Sequence, residues 1–88
     1  MFTFEERILS FENKEEKDTP WQRPYTPAWN KFHVMSTKPT EYLNLLTFDS
    51  KEKVEKFVNK QSAARDAQNV VAEFRIVELE VSLGNQET

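Results

Sequence analysis

The strongest constraint on the fold is the position of proline, since all four prolines lie within residues 19–40. Proline fixes its own φ and has no N–H, so it interrupts helices and the central strands of sheets. Regular elements are therefore expected on either side of this stretch. The stretch also holds both tryptophans and the only histidine, and it contains no acidic residue. One segment of the chain thus differs in kind from the rest.

A helix is predicted over residues 50–68, where the pattern is clearest. Asp49 and Glu52 form a capping box, which makes Asp49 the expected N-cap. Val54, Phe57 and Val58 follow at helical spacing and give one apolar stripe. No glycine marks the end of the helix, which is placed near Asn69.

Alternating residues predict a strand over 71–82, with a change of phase at Ile76–Val77. That change indicates either a β-bulge or a strand covered on both faces. Residues 29–36 and 42–48 are predicted as a second β region, a hairpin that turns at Pro39.

The N-terminal region has two interpretations. Residues 7–15 match residues 44–52 in residue type at each position but the first, which suggests an internal repeat. That repeat predicts a strand over 4–11 and a short helix over 13–18, and hence two β-α-β halves. The alternative is an N-terminal helix that begins at a capping box over residues 3–6.

Residues 42–80 resemble the second half of dimeric α/β-barrel proteins, which have a ferredoxin-like fold. The similarity rests on the strand-to-helix run from Leu45 to Glu52, on Phe57, and on the run from Phe74 to Glu78. It implies an α+β fold in which a small four-stranded antiparallel sheet, of βαββαβ order, packs on one main helix. The first half departs from the family, because prolines shorten its helix, and no functional residue is carried over.

These patterns predict a single α+β domain over residues 1–83, with a Pro/Trp-rich arm at 19–30 and a frayed tail at 84–88. A hydrophobic core is expected on the helix side of the sheet. Its predicted members are Phe11, Leu46, Phe48, Val54, Phe57 and Val58.

Several classes of function are disfavoured by what the sequence lacks. Without cysteine there is no disulfide, thiolate catalysis or zinc ribbon, and with Gly84 as the only glycine no phosphate-binding loop can be written. His33 has no metal-ligand spacing around it and is expected to pack or to face solvent. We therefore expect no cofactor and no enzyme activity.

Charge and hydropathy bear on partners and location. The net charge of −3 has the wrong sign for a general nucleic-acid binder. There is no signal-peptide pattern and no long apolar run, which predicts a cytoplasmic protein without membrane contact.

The arm is the candidate partner-binding site, through Trp21, Arg23, Tyr25 and Trp29. Tryptophan, tyrosine and arginine dominate binding hot spots, and proline lowers the entropy lost on ordering. Two alternatives stay open. The arm folds over the sheet and completes the core, or its rings stack on single-stranded nucleic acid.

A second surface is predicted from strand alternation, which sends Ile8, Leu43 and Leu45 to the sheet face away from the helix. Three aliphatic side chains there form an apolar patch, so a homodimer is expected.

The sequence therefore favours a non-enzymatic protein-interaction module. Its short, cysteine-free, lysine- and glutamate-rich composition is compatible with a phage or mobile-element accessory protein that binds or inhibits a host protein. One alternative is a dimeric α/β-barrel that binds a small apolar ligand. The other is a single-stranded nucleic-acid binder that uses the Trp/Arg arm.

Overall fold

The computed structural model describes residues 1–80, which form an α+β fold of two small antiparallel sheets and one helix. The first sheet has the order β2-β1-β6 and the second the order β4-β3-β5. The elements are β1 (Phe2–Phe11), β2 (Lys14–Glu15), β3 (Arg23–Pro27), β4 (Val34–Ser36), β5 (Leu43–Leu45), α1 (Lys51–Ala67) and β6 (Val70–Glu78).

The predicted α+β class is confirmed, but a single ferredoxin-like sheet of four strands is not confirmed, because the strands divide between two sheets. The predicted tail at 84–88 lies outside the described residues.

The pairing of β1 with β6 forms the main part of the first sheet. Their antiparallel register runs from Phe2 opposite Glu78 to Phe11 opposite Val70, with one irregularity between Ile8 and Ser10. This bulge places one extra residue in β1, so the alternation of its side chains reverses there. The β-bulge considered at Ile76–Val77 is not found there, because β6 pairs with β1 without interruption from Ala72 to Glu78, and the bulge lies opposite Ala72 and Val71.

A two-residue hairpin turn replaces the predicted helix over 13–18. Phe11 pairs with Lys14, and the intervening Glu12 and Asn13 have φ of 51° and 66°. Two positive φ values are typical of a type I′ turn, whose twist matches that of antiparallel strands. The proposed repeat is therefore wrong as a structural unit, since one copy continues into a strand and the other into α1.

Helix α1 lies close to its predicted bounds, but its N-cap is Ser50, whose side chain accepts a hydrogen bond from the Lys53 amide at 3.2 Å. Asp49, the expected cap, instead forms an ion pair with the Lys53 side chain one turn later. The helix ends with Asn69 at φ 62°, in the left-handed position that glycine usually fills.

The core lies between α1 and the first sheet. Phe4 and Val54 are fully buried, and the Phe4 ring lies 5.6 Å from Phe57 and 6.2 Å from Phe74. The prediction that Phe11 belongs to this core is wrong. Its side chain is 49% exposed, because it lies at the hairpin end, beyond the bulge.

The second sheet has β3 at its centre, although β3 contains two prolines. The even-numbered residues of β3 direct their amide and carbonyl groups toward β5. The hydrogen bond from the Leu46 amide to the Pro24 carbonyl shows this direction. Pro27 therefore points toward β4, whose pairing has already ended at Tyr25 opposite Val34, so its missing N–H costs no ladder bond. The predicted hairpin is wrong because β4 and β5 both pair with β3 and not with each other.

The two sheets are joined through the edge of β1 that faces away from β6, at residues that β2 does not pair. Phe2 exchanges two backbone hydrogen bonds with Phe48, and Glu6 exchanges two with Gln22. Thr3, which is also fully buried, donates its hydroxyl to the Leu46 carbonyl at 2.8 Å. The second sheet is thereby fixed against the first, and the arm is drawn into the fold.

Candidate functional site

The predicted Pro/Trp-rich arm divides into two parts with opposite fates. Residues 21–27 are built into the structure through Gln22 and β3, whereas residues 28–32 form an exposed loop. Tyr25 belongs to the first part and is only 7% exposed. Tyr25 lies in the central strand of the second sheet, opposite Val34 and Leu45, and its burial leaves little surface for the predicted contact with a partner.

Trp21 lies against the face of the first sheet that is opposite α1. The guanidinium carbons of Arg7 and Arg75 lie 4.9 Å and 4.0 Å from the centre of its ring. Such cation–π contacts contribute roughly 0.5–2 kcal/mol each, depending on exposure. Trp21 is half-buried and holds the arm against the first sheet. This agrees with the alternative in which the arm folds over the sheet.

Arg23 is held by the same face. Its Nε donates to Glu5 Oε2 at 2.9 Å, while Arg75 Nε donates to Glu5 Oε1 at 2.6 Å. Burial raises the pKa of Glu5, but the hydrogen bonds from the two arginines outweigh it and leave that pKa below its ordinary value. Arg23 is consequently occupied, and a nucleic-acid phosphate would have to displace an internal carboxylate to reach it.

Trp29 is the one predicted contact residue that the fold presents to solvent as a largely bare ring, 70% exposed. Its ring packs against Tyr42 with centroids 4.8 Å apart, and Tyr42 is itself 47% exposed. Phe32, 68% exposed, lies on the β3–β4 connection with Trp29, and Val34, 40% exposed, is the first residue of β4. We call this set the aromatic tip: Trp29, Phe32, Val34 and Tyr42.

Short-range hydrogen bonds order the backbone of the aromatic tip. The Ala28 amide donates to the Tyr42 carbonyl at 2.9 Å, which ties the loop to the start of β5. The Asn30 amide donates to the Pro27 carbonyl, and the Phe32 amide donates to Asn30 Oδ1 at 2.9 Å. A loop with its backbone bonds made in this way loses little entropy when it binds.

Sequence reasoning missed Phe32 and Tyr42, which it assigned to strands. The sequence does contain one signal, the high local density of aromatic residues. Trp29, Phe32 and Tyr42 lie within fourteen positions, together with two lysines and few aliphatic residues. A strand of the core would show alternation, and residues 28–33 show none.

The predicted dimer patch is not assembled as one surface. Ile8 shares its phase with Phe4 and Glu6 and so lies on the α1 side of the first sheet. Leu43 and Leu45 belong to the second sheet, where they lie opposite Pro27 and Tyr25 and are half-buried. The prediction of one patch is therefore wrong, because Ile8 lies on the opposite face of β1 from the one predicted and β5 belongs to the other sheet.

Glu6 and Arg65 form a buried ion pair near the C-terminal end of α1, where the side chains that α1 turns toward the sheet become polar. Glu6 is 2% exposed and accepts from Arg65 Nε at 2.5 Å and from Arg65 Nη2 at 2.9 Å, with Gln61 Nε2 at 3.3 Å. The hydrogen bonds that Arg65 donates to Glu6 raise the pKa of Arg65 and outweigh the opposing effect of burial. Gln61 and Arg65 continue the stripe of Val54 at helical spacing. The sequence alone does not show that this part of the helix faces Glu6, so it does not predict the ion pair.

A partly open cavity of about 650 Å³ lies beside this pair, between the β1–β2 hairpin and the C-terminal end of α1. Its apolar wall consists of Ile8, Phe11 and Val70. Its polar lining consists of Glu6, Glu16, Thr19, Gln22, Arg65 and Gln68. The volume falls within the range of small-molecule sites.

His33 packs edge-on against Phe57, with ring centroids 5.2 Å apart. Burial, followed by the nearby Arg65 charge, lowers the pKa of His33, while Gln61 and Glu6 oppose that shift. Among residues 1–80, no three histidine or acidic side chains are grouped as metal ligands, and α1 is neither long nor apolar enough to cross a membrane. His33 is placed as a packing residue, as the sequence suggested.

Comparison with known proteins gives no relative: no family model, curated protein or solved structure matches the chain.

Proposed function

We propose that the chain is a non-enzymatic protein-interaction module that binds its partner through the aromatic tip. The observation that carries this proposal is the solvent-exposed contact between the rings of Trp29 and Tyr42, together with the exposed Phe32 three residues after Trp29. Isolated apolar residues are common on surfaces, but several large exposed rings on two adjacent loops are typical of interfaces.

The chemistry of the tip suggests the character of the partner. The rings fit an apolar groove or pocket of a protein, since each offers a large contact area with few rotatable bonds. Lys31 lies beside Phe32, with its Nζ 5.8 Å from the ring centre, and no acidic residue occurs between Asp18 and Glu41. An apolar groove with an acidic rim is the surface that this arrangement complements.

A photo-crosslinking experiment tests the proposal. A photoreactive phenylalanine analogue is placed at position 32 in one chain and, as a matched control, at the equally aromatic and half-exposed position 11 in another. A protein that crosslinks to position 32 but not to position 11, and that is lost when Trp29→Ala is added, supports the tip. Crosslinking from position 11 alone would contradict the proposal and favour the cavity.

The cavity supports a second candidate function, the binding of a small molecule with an apolar body and a polar end. Its wall of Ile8, Phe11 and Val70 suits the apolar part, and Arg65 and Gln68 offer donors and acceptors. This is the apolar-ligand alternative drawn from the dimeric α/β-barrel resemblance. Native mass spectrometry of the purified chain tests it: a bound small molecule that Phe11→Ala releases favours the cavity.

A nucleic-acid partner is an outcome of the same tests. The fluorescence of a tryptophan is quenched when its ring stacks on the bases of a single-stranded oligonucleotide, and such binding weakens steeply with salt. Salt-dependent quenching of Trp29 fluorescence by oligonucleotides, without a protein crosslink, would replace a protein partner by a nucleic acid.

A further inference from the structure

The outer edge of β6 is the strongest remaining feature, and it goes beyond the aromatic tip. β6 is nine residues long and lies at the edge of the first sheet. Phe2 and Glu6 bond away from β6, to Phe48 and Gln22, so the intervening odd-numbered residues of β1 bond toward it. By the alternation of an antiparallel ladder, Ala72, Phe74 and Ile76 direct their amides and carbonyls outward.

No strand within residues 1–80 pairs with that edge. Long edge strands normally carry a device against pairing, such as a proline, a bulge or a cover. β6 contains no proline, and the bulge of this sheet lies in β1. The edge is therefore a template for one more strand.

We infer that the added strand is β6 of a second copy of this chain, paired antiparallel about Phe74. In that register Glu73 lies opposite Arg75 of the second copy, and Arg75 opposite its Glu73. Val71 lies opposite Val77, which covers a valine that is 54% exposed in the single chain. The sequence of β6 is thus complementary to itself.

The pairing also satisfies the backbone. Phe74 meets its own copy and Ala72 meets Ile76, and each of these pairs joins two outward-facing residues, as hydrogen-bonded pairs require. A shift of the symmetry centre by one residue would keep the hydrogen bonding. It would, however, place Glu73 opposite Glu73 or Arg75 opposite Arg75, and directly opposed like charges are unfavourable. Charge therefore selects one register.

The charges already paired inside the chain extend this pattern. Arg7 pairs with Glu73, and Arg75 pairs with Glu5, on the face away from α1. Across the joined sheets each row then alternates in sign, from Arg7 through Glu73 to Arg75 and Glu5 of the second copy. On the α1 side, the half-buried rings of the two Phe74 residues are brought together. The interface is isologous and closes as a dimer.

A charge-swap experiment tests the inference. Glu73→Lys places a lysine opposite Arg75, and Arg75→Glu places a glutamate opposite Glu73, so each variant alone opposes its own pairing in two places. Mixed together, the two variants restore opposite charges in both rows. Glu55→Lys, at an exposed position of α1, is the matched control for a reversal of one charge.

We expect the unaltered chain and Glu55→Lys to have twice the 10.4 kDa mass in light scattering at about 100 μM, far above the Kd of a stable homodimer. Each variant alone weakens association by about tenfold or more, and the equimolar mixture recovers it. A monomeric unaltered chain, variants that still dimerise, or a mixture that stays monomeric would each overturn the inference.

A second measurement holds even if a charge reversal disturbs folding. The chain has no cysteine, so Val71→Cys and Val77→Cys each introduce a unique thiol on the face away from α1. Directly opposed residues of this type have Cα atoms about 4.5 Å apart, within disulfide range. A disulfide that forms in the mixture faster than in either chain alone supports the register, and equal rates contradict it.

Discussion

The two sheets of this small fold use aromatic side chains in opposite ways. In the first sheet Phe4 is fully buried beneath α1 and touches two further rings. In the second sheet and its loop, Trp29 and Phe32 are about two-thirds exposed, although they occur in the most aromatic part of the sequence. Aromatic content therefore does not locate the core of this chain, whereas coverage by α1 does.

The difference has a physical origin in strand length and cover. β1 and β6 are ten and nine residues long and pack under α1, whereas β3, β4 and β5 are five, three and three residues long. Short strands bury little, so the second sheet depends on the first for anchorage through Phe48, Gln22 and Leu46. The buried core is concentrated in one region, and the exposed aromatic side chains in the other.

Truncation of one ring in each region gives the largest expected contrast. Phe4→Ala removes a fully buried ring and should lower the free energy of unfolding by roughly 3–5 kcal/mol. Phe32→Ala removes an exposed ring and should change it by less than about 0.5 kcal/mol. Urea denaturation of both variants measures the contrast, and equal losses would show that the tip belongs to the core.

The buried ion pair of the first region gives the next largest effect. Glu6→Gln leaves the Arg65 guanidinium without its carboxylate and should cost about 2–3 kcal/mol, less than a fully buried charge because Arg65 is partly exposed. Removing both charges with Glu6→Leu and Arg65→Met should cost less than the two single changes together. An additive double-mutant cycle would contradict the direct contact.

The start of α1 separates the two candidate caps. Ser50→Ala removes the acceptor for the Lys53 amide and should cost about 1 kcal/mol. Asp49→Ala should cost less, because its ion pair with Lys53 is exposed to solvent on both sides. Thermal unfolding of the two variants measures this order, and the reverse order would restore Asp49 as the cap.

His33 links the two regions through its contact with Phe57, and its pKa gives the smallest effect. Burial lowers that pKa in the folded chain below its ordinary value of 6.5, so the unfolded chain binds the proton more tightly. Stability is then full above pH 6.5 and falls as the pH is lowered through that value toward the folded pKa. Denaturation at several pH values, with His33→Gln as the control that removes this component, measures the effect; an unchanged pH profile in the variant would contradict it.

Much of the first region could be predicted from local pattern. The helix was expected over 50–68 and lies at Lys51–Ala67, and the strand expected over 71–82 begins at Val70. Both carry strong periodicity over many residues, which tertiary context rarely overrides. Their agreement also explains why Val54 was correctly assigned to the core.

The other features of the fold depend on backbone details that cannot be predicted from residue types. The type I′ turn made by Glu12 and Asn13 lacks the glycine that normally signals such a turn, so the residue types of Lys14 and Glu15 predict the start of a helix where the structure has a strand. One bulged residue after Ile8 reverses the alternation of β1, and Phe11 lies at the hairpin end of the strand, opposite Val70, where it is 49% exposed. Trp21 and Trp29 are alike in sequence context, and only the arginines that meet Trp21 distinguish them.

The central claim is that the aromatic tip binds a partner without supporting the fold. The most direct test combines two readings on one double variant, Trp29→Ala with Phe32→Ala: its free energy of unfolding, and its affinity for the protein crosslinked from position 32. We predict an unfolding free energy within about 0.5 kcal/mol of the unaltered chain and a loss of affinity of at least about tenfold. A variant that unfolds readily, or that keeps the partner's affinity, would contradict the claim.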